Sequence, residues 1–170
     1  MFALGIDPGV SRCGYGVVGR DASGYRAVAA GVITTPAADP LPGRLATLLA
    51  ELTDLIAQHR PHVVVVERVF FQTNVRTAMS VGQASGLALA AAATAGCEIA
   101  QYTANEVKAS VAGYGAATKE QVQRMVQSLL SLAEVPKPPD AADALALALC
   151  HLAVAPRLAR IAGAEAEAAR

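Results

Sequence analysis

Short unbroken apolar runs alternate along the chain with longer stretches in which apolar residues recur every third or fourth position, the signature of strands interleaved with amphipathic helices. Residues 2–6 form an apolar run closed by Pro8-Gly9, and residues 15–18 follow after another glycine. Two antiparallel strands joined by a tight turn are expected there. The turn cluster Asp21-Ala22-Ser23-Gly24 precedes a third strand over 25–34, completing a meander. Leu41, Leu45, Leu48, Leu49, Leu52, Leu55 and Ile56 then keep helical spacing until Pro61 stops the helix. The four valines 63–66, ending on Glu67, do not alternate with polar residues, which predicts a strand covered on both faces. An uncharged, alanine-rich helix between Arg76 and Glu98 follows, then a strand over 98–102 and helical patterns over 104–111, 119–132 and 140–154. The fold class is therefore α/β, a sheet flanked by helices. Periodicity fades after residue 155, so one domain over 1–155 and a frayed, flexible tail over 156–170 are expected.

Composition narrows the reading. A chain of 170 residues, 54% apolar and 16% charged, suits one self-sufficient domain. Three cysteines without C-x-x-C spacing suggest neither a disulfide framework nor a zinc knuckle. The net charge of zero argues against a globally basic binder of nucleic acid but permits a local basic face. Asp7 inside the first apolar run does not suit a signal peptide, and a cytoplasmic protein is expected. The uncharged stretch 77–97 is long enough to cross a bilayer. Its alanines, broken by Ser80, Gly82, Gln83, Ser85 and Gly86, fit a buried helix better. A helix small or apolar on every side must be covered on every side. The sheet covers one face, so the opposite face, including some of Met79, Gln83, Leu87 and Ala90, is expected to meet a second copy of the chain.

Candidate chemistry lies in four acids. Asp7 and Glu67 emerge at strand ends, while Asp140 and Asp143, three residues apart on a helix, stand about 60° apart around its axis. Hard oxygen donors without histidine or cysteine suit Mg²⁺ or Mn²⁺. Each acid also has a plainer reading: Asp7-Pro8-Gly9 as a turn, and Asp140 with Asp143 as an acidic helix start. Glu67 beside four valines needs a partner or a metal.

The motifs Gly5-Ile6-Asp7-Pro8-Gly9, Gly14-Tyr15-Gly16, Val66-Glu67-Arg68-Val69-Phe70, Gly82-Gln83-Ala84, Val107-Lys108 and Asp140-Ala141-Ala142-Asp143 together resemble the bacterial RuvC-type Holliday-junction resolvases. The likeness spans residues 1–155. It implies a ribonuclease H-like fold with a mixed five-stranded sheet, a homodimer acting on four-way DNA junctions, and a divalent metal held by Asp7, Glu67, Asp140 and Asp143. In a two-metal reaction Asp7 is expected to bridge, Asp140 and Asp143 to serve the water-activating Mg²⁺ (or Mn²⁺), and Glu67 the leaving-group side. Lys108 and Lys119 match basic positions of the family, and Lys119 is expected to offset charge on the scissile phosphate. Arg68, Arg76 and Arg124 are candidate phosphate contacts, and Phe70 is expected to stack on an unpaired base, with Phe71 packed inward. The family also works with the RuvA and RuvB branch-migration proteins, for which the sequence shows no contact motif. Two rivals stand: an actin-like ATPase, suggested by the Asp7-Pro8-Gly9-Val10-Ser11 loop, and a noncatalytic junction-binding module.

Overall fold

The computed structural model describes residues 1–68 and 75–168, with side chains left undescribed at 75–76 and 157–168. In chain order the elements are β1 (Phe2–Asp7), β2 (Arg12–Asp21), β3 (Gly24–Thr34), α1 (Leu41–His59), β4 (Val63–Glu67), α2 (Val75–Thr94), β5 (Glu98–Tyr102), α3 (Ala104–Ala112), α4 (Lys119–Leu129) and α5 (Pro139–Ala168). The sheet runs β3-β2-β1-β4-β5. The meander β1-β2-β3 is antiparallel, and β4 and β5 join β1 in parallel, giving the expected mixed five-stranded sheet. β2 is longer than its sequence suggests, because Gly14 and Gly16 dilute a strand signal that cross-strand pairing restores.

Alternation along β1 and β4 assigns the two faces. Leu4, Ile6, Val64 and Val66 pack with Leu48, Leu52 and Ile56 of α1 and Ala84, Ala88 and Ala92 of α2. Ala3, Val63 and Val65 pack instead beneath α3, α4 and α5. All four valines of β4 are fully buried, each contributing about 1.5 kcal/mol or more of transfer free energy. Leu41 and Leu49, though on the periodic stripe of α1, remain exposed.

The face under α5 is stripped of side chains where the helix crosses it. A Cβ at Gly5 would lie 1.9 Å from the Ala144 carbonyl oxygen, one at Gly14 2.1 Å from that of Asp140, and one at Gly16 2.7 Å from the Leu145 nitrogen. These glycines pair Asp7↔Gly14 and Gly5↔Gly16 across β1 and β2, forming a trough in which α5 seats backbone to backbone.

Two boundaries and one helix face differ from expectation. The backbone of α5 continues as helix through Pro156 to Ala168, so residues 156–168 are helical where a frayed tail was expected; proline fits without breaking the run. α4 stops at Leu129, followed by Ser131 with φ +51°. On α2 the outward positions are Met79, 63% exposed, with Gly82, Gly86 and Ala90, whereas Leu87 packs on the chain's own core. Among the described residues no helix is long and apolar enough to cross a membrane.

Candidate active site

Asp7 and Glu67 are the last residues of adjacent parallel strands, and the pairing Ile6↔Val66 puts them side by side at one sheet edge. Each sits two residues beyond a position that faces α5, Gly5 and Val65, so both carboxylates turn toward that helix. The first turns of α5 bring Asp140 and Asp143 over the same edge. Asp140 is the second residue of the helix rather than its cap. Asp7, Glu67 and Asp143 line a cavity of about 250 Å³ together with Lys108 of α3 and Lys119, the first residue of α4. A capping box fixes that start of α4: Thr118 accepts from the Gln121 N–H and Gln121 accepts from the Thr118 N–H. A larger cavity of about 760 Å³ lies between the C-terminal ends of α1 and α2, but no acid lines it.

The site is overloaded with negative charge. Burial first, then the neighbouring Asp143, Glu67 and Asp140, pushes Asp7 up to about 7, with Lys119 acting the other way. Burial and Asp143 likewise raise Glu67. Two cations answer part of this charge. The Lys119 ammonium lies 2.6 Å from Asp143 Oδ2 and has its own pKa raised by that contact. Arg12 donates from Nη2 at 2.7 Å and from Nε at 3.2 Å to Asp140 Oδ2, holding that carboxyl below its ordinary range. Cys13 is nearby but buried, its thiol pushed up to about 12, so it offers no thiolate.

Sequence reasoning missed Arg12. Its signal is one of register: Asp7 pairs with Gly14, and Arg12, two residues earlier on β2, shares Gly14's face and therefore reaches the start of α5. The other predicted residues divide. Lys108 and Lys119 join the cavity. Arg68 is exposed beyond β4 and donates to the Gln101 carbonyl at 3.1 Å. Arg124 sits about 140° around α4 from Lys119, on the side of Glu120, and is not brought to the cavity. Arg76 lies on α2 with its side chain undescribed, and Phe70 and Phe71 fall outside the described residues.

The donor set fits a hard divalent cation. Four carboxylates converge from β1, β4 and α5, and Asp7 is raised by burial first and then by its acidic neighbours, both of which a bound cation would offset. Among the described residues no three such side chains are gathered closely enough to hold an ion as they stand, and Asp140 and Asp143 are each engaged by a cation.

Residues 3–151 match the family model described as crossover junction endodeoxyribonuclease RuvC. The chain is 52% identical over 148 residues to the protein of that name from Rubrobacter xylanophilus, covering 87% of this chain and 83% of the relative. It is 51% identical over 160 residues to that from Chloroflexus aggregans, covering 94% and 98%. Thermus thermophilus RuvC, solved in complex with Holliday junction substrate, superposes with a TM-score of 0.86 at 38% identity, covering 91% of this chain and 94% of that one.

Proposed function

The chain belongs to the crossover junction endodeoxyribonuclease RuvC family and is a Holliday junction resolvase of ribonuclease H-like fold, and from that premise we propose that Asp7, Glu67, Asp140 and Asp143 are its metal-binding catalytic carboxylates. Divalent-metal dependence comes with the family; Mg²⁺, with Mn²⁺ as substitute, and two ions per site suit these oxygen donors. Bound there, the ions supply activation of water and neutralisation of the departing alkoxide. Asp7, on the strand between β2 and β4, would serve both. Asp140 and Asp143, projecting from one helix side, serve the water side, and Glu67 serves the leaving-group side. Lys119, once released from Asp143, neutralises charge on the scissile phosphate.

Lys108 in the cavity wall and exposed Arg68 hold junction phosphates, as does Arg76 at the start of α2; Arg124 is a peripheral contact only. Phe70, three residues beyond Glu67, stacks on an unpaired base at the junction centre. The outward face of α2, with Met79, Gly82, Gly86 and Ala90 exposed, meets the same face of a second copy across a two-fold axis. Such a homodimer sets two sites on opposed strands of a near-symmetric junction. The nuclease domain is residues 1–155, the enzyme works in the cytoplasm, and RuvA and RuvB are its branch-migration partners.

The observation that carries this reading is the convergence of four acids, from residues 7 to 143, on one sheet edge beside Lys119. Incubation with a synthetic four-way junction and Mg²⁺, with cuts mapped on denaturing gels, tests it. Paired, symmetric, ligatable nicks are expected, with no ATP turnover in the absence of DNA. Junction binding without metal-dependent cutting would favour the noncatalytic module instead.

A further inference from the structure

We propose that Arg12 is a built-in counter-ion of the metal site: it holds Asp140 until a divalent cation takes that carboxylate, and its freed guanidinium then binds a phosphate of the junction. The proposal rests on the reading of Asp140 as a metal ligand.

The geometry favours exchange over permanent support. Both Arg12 donors converge on one oxygen, Asp140 Oδ2, at 2.7 and 3.2 Å. A cation that takes that oxygen displaces the guanidinium, and one that takes Oδ1 meets the guanidinium's charge across the same carboxylate, so ion and Arg12 compete electrostatically for Asp140. The pair is open to solvent, with side chains 50% and 28% exposed, and exposed pairs are weak enough to break without disturbing the fold. Only the side chain need move. The Arg12 backbone is pinned by pairing with Thr34 and by the tight Pro8–Ser11 turn, in which a Cβ at Gly9 would come within 2.3 Å of the Arg12 carbonyl oxygen.

Charge supplies the direction. Without ions, the four acids are answered by Arg12 on Asp140, Lys119 on Asp143 and Lys108 in the cavity wall, and the first two cations are committed to acids. Divalent cations on the same acids turn the balance positive and leave Arg12 without a favourable partner on the protein side. A planar guanidinium at the solvent-facing rim of a nuclease site then suits a phosphate oxygen. Metal and DNA binding become mutually reinforcing, because each favours the released state of the same side chain.

The sign of one measurement separates this from simple support. Mn²⁺ is titrated into DNA-free protein and the free ion followed by electron paramagnetic resonance, comparing wild type with Arg12→Gln, Arg12→Lys and Asp140→Asn. Arg12→Gln should bind Mn²⁺ more tightly, on the order of three- to fivefold, with Arg12→Lys between it and wild type. With Ca²⁺ replacing the reactive ion, Arg12→Gln should lower junction affinity and reduce the salt slope by about 0.9, one phosphate contact. Unchanged or weaker Mn²⁺ binding by Arg12→Gln would make Arg12 a support for Asp140 and overturn the proposal. An unchanged salt slope would overturn its phosphate half. If Asp140→Asn left Mn²⁺ affinity intact, the assignment of Asp140 as a ligand would fall first.

Discussion

Asp7→Asn should make the metal-free protein more stable while destroying its activity. Asp7 is half-buried among Glu67, Asp140 and Asp143, and burial with like charge pushes it from 3.8 up to about 7. The native state therefore binds a proton that the unfolded chain releases. Stability falls as pH rises from about 4 to about 7 and stays low above that. At about 1.4 kcal/mol per pH unit, the ionised carboxylate destabilises the fold by at most about 4 kcal/mol. Solvent screening at this half-buried group reduces that, leaving about 1–2 kcal/mol to be recovered by a neutral side chain of the same size. For a domain of this length the gain is a rise in Tm of about 3–6 °C. Thermal unfolding followed by circular dichroism in EDTA should show that gap at pH 8 and near-coincidence at about pH 3, below the ordinary value of 3.8, where Asp7 is protonated in the folded and the unfolded chain alike. Mg²⁺ should close the gap by stabilising the wild type alone, while junction cleavage by the variant drops by about 100-fold or more. A variant equal to or less stable than wild type at pH 8 without metal would refute the claim that Asp7 carries uncompensated charge.

Gly5→Ala should lower stability by about 3 kcal/mol and cleavage with it, since its Cβ meets backbone atoms of α5 that no rotamer change can move. Gly43→Ala in α1, with nothing within 4 Å, should instead stabilise by about 0.5–1 kcal/mol, both variants being read by denaturant titration. Ala90→Arg with Met79→Arg, both exposed on α2, should give a monomer by analytical ultracentrifugation that binds junctions without paired cutting. A dimer in that double variant would place the self-association surface elsewhere.

What the sequence discloses and what it hides differ in physical range. β4 is readable because four valines and a terminal acid are a local signal, and the first turns of α5 are readable because Asp140 and Asp143 share a helix side within one turn. Arg12 is not, because its partner is 128 residues away and only sheet register brings the two together. The outward face of α2 is half-readable: an alanine-rich helix announces burial all round, yet only packing shows that Leu87 turns to the chain's own core while Met79 stays outside. The glycines are the deepest case. In the sequence Gly14 and Gly16 weaken a strand, and Gly5 adds nothing to one. In the fold their missing side chains let α5 lie directly on β1 and β2, and that closeness is what carries Asp140 and Asp143 to the strand ends bearing Asp7 and Glu67. The separation of the acids is thus set less by the acids than by the bare trough beneath the helix. A methyl group at Gly5 would separate carboxylates that it never touches.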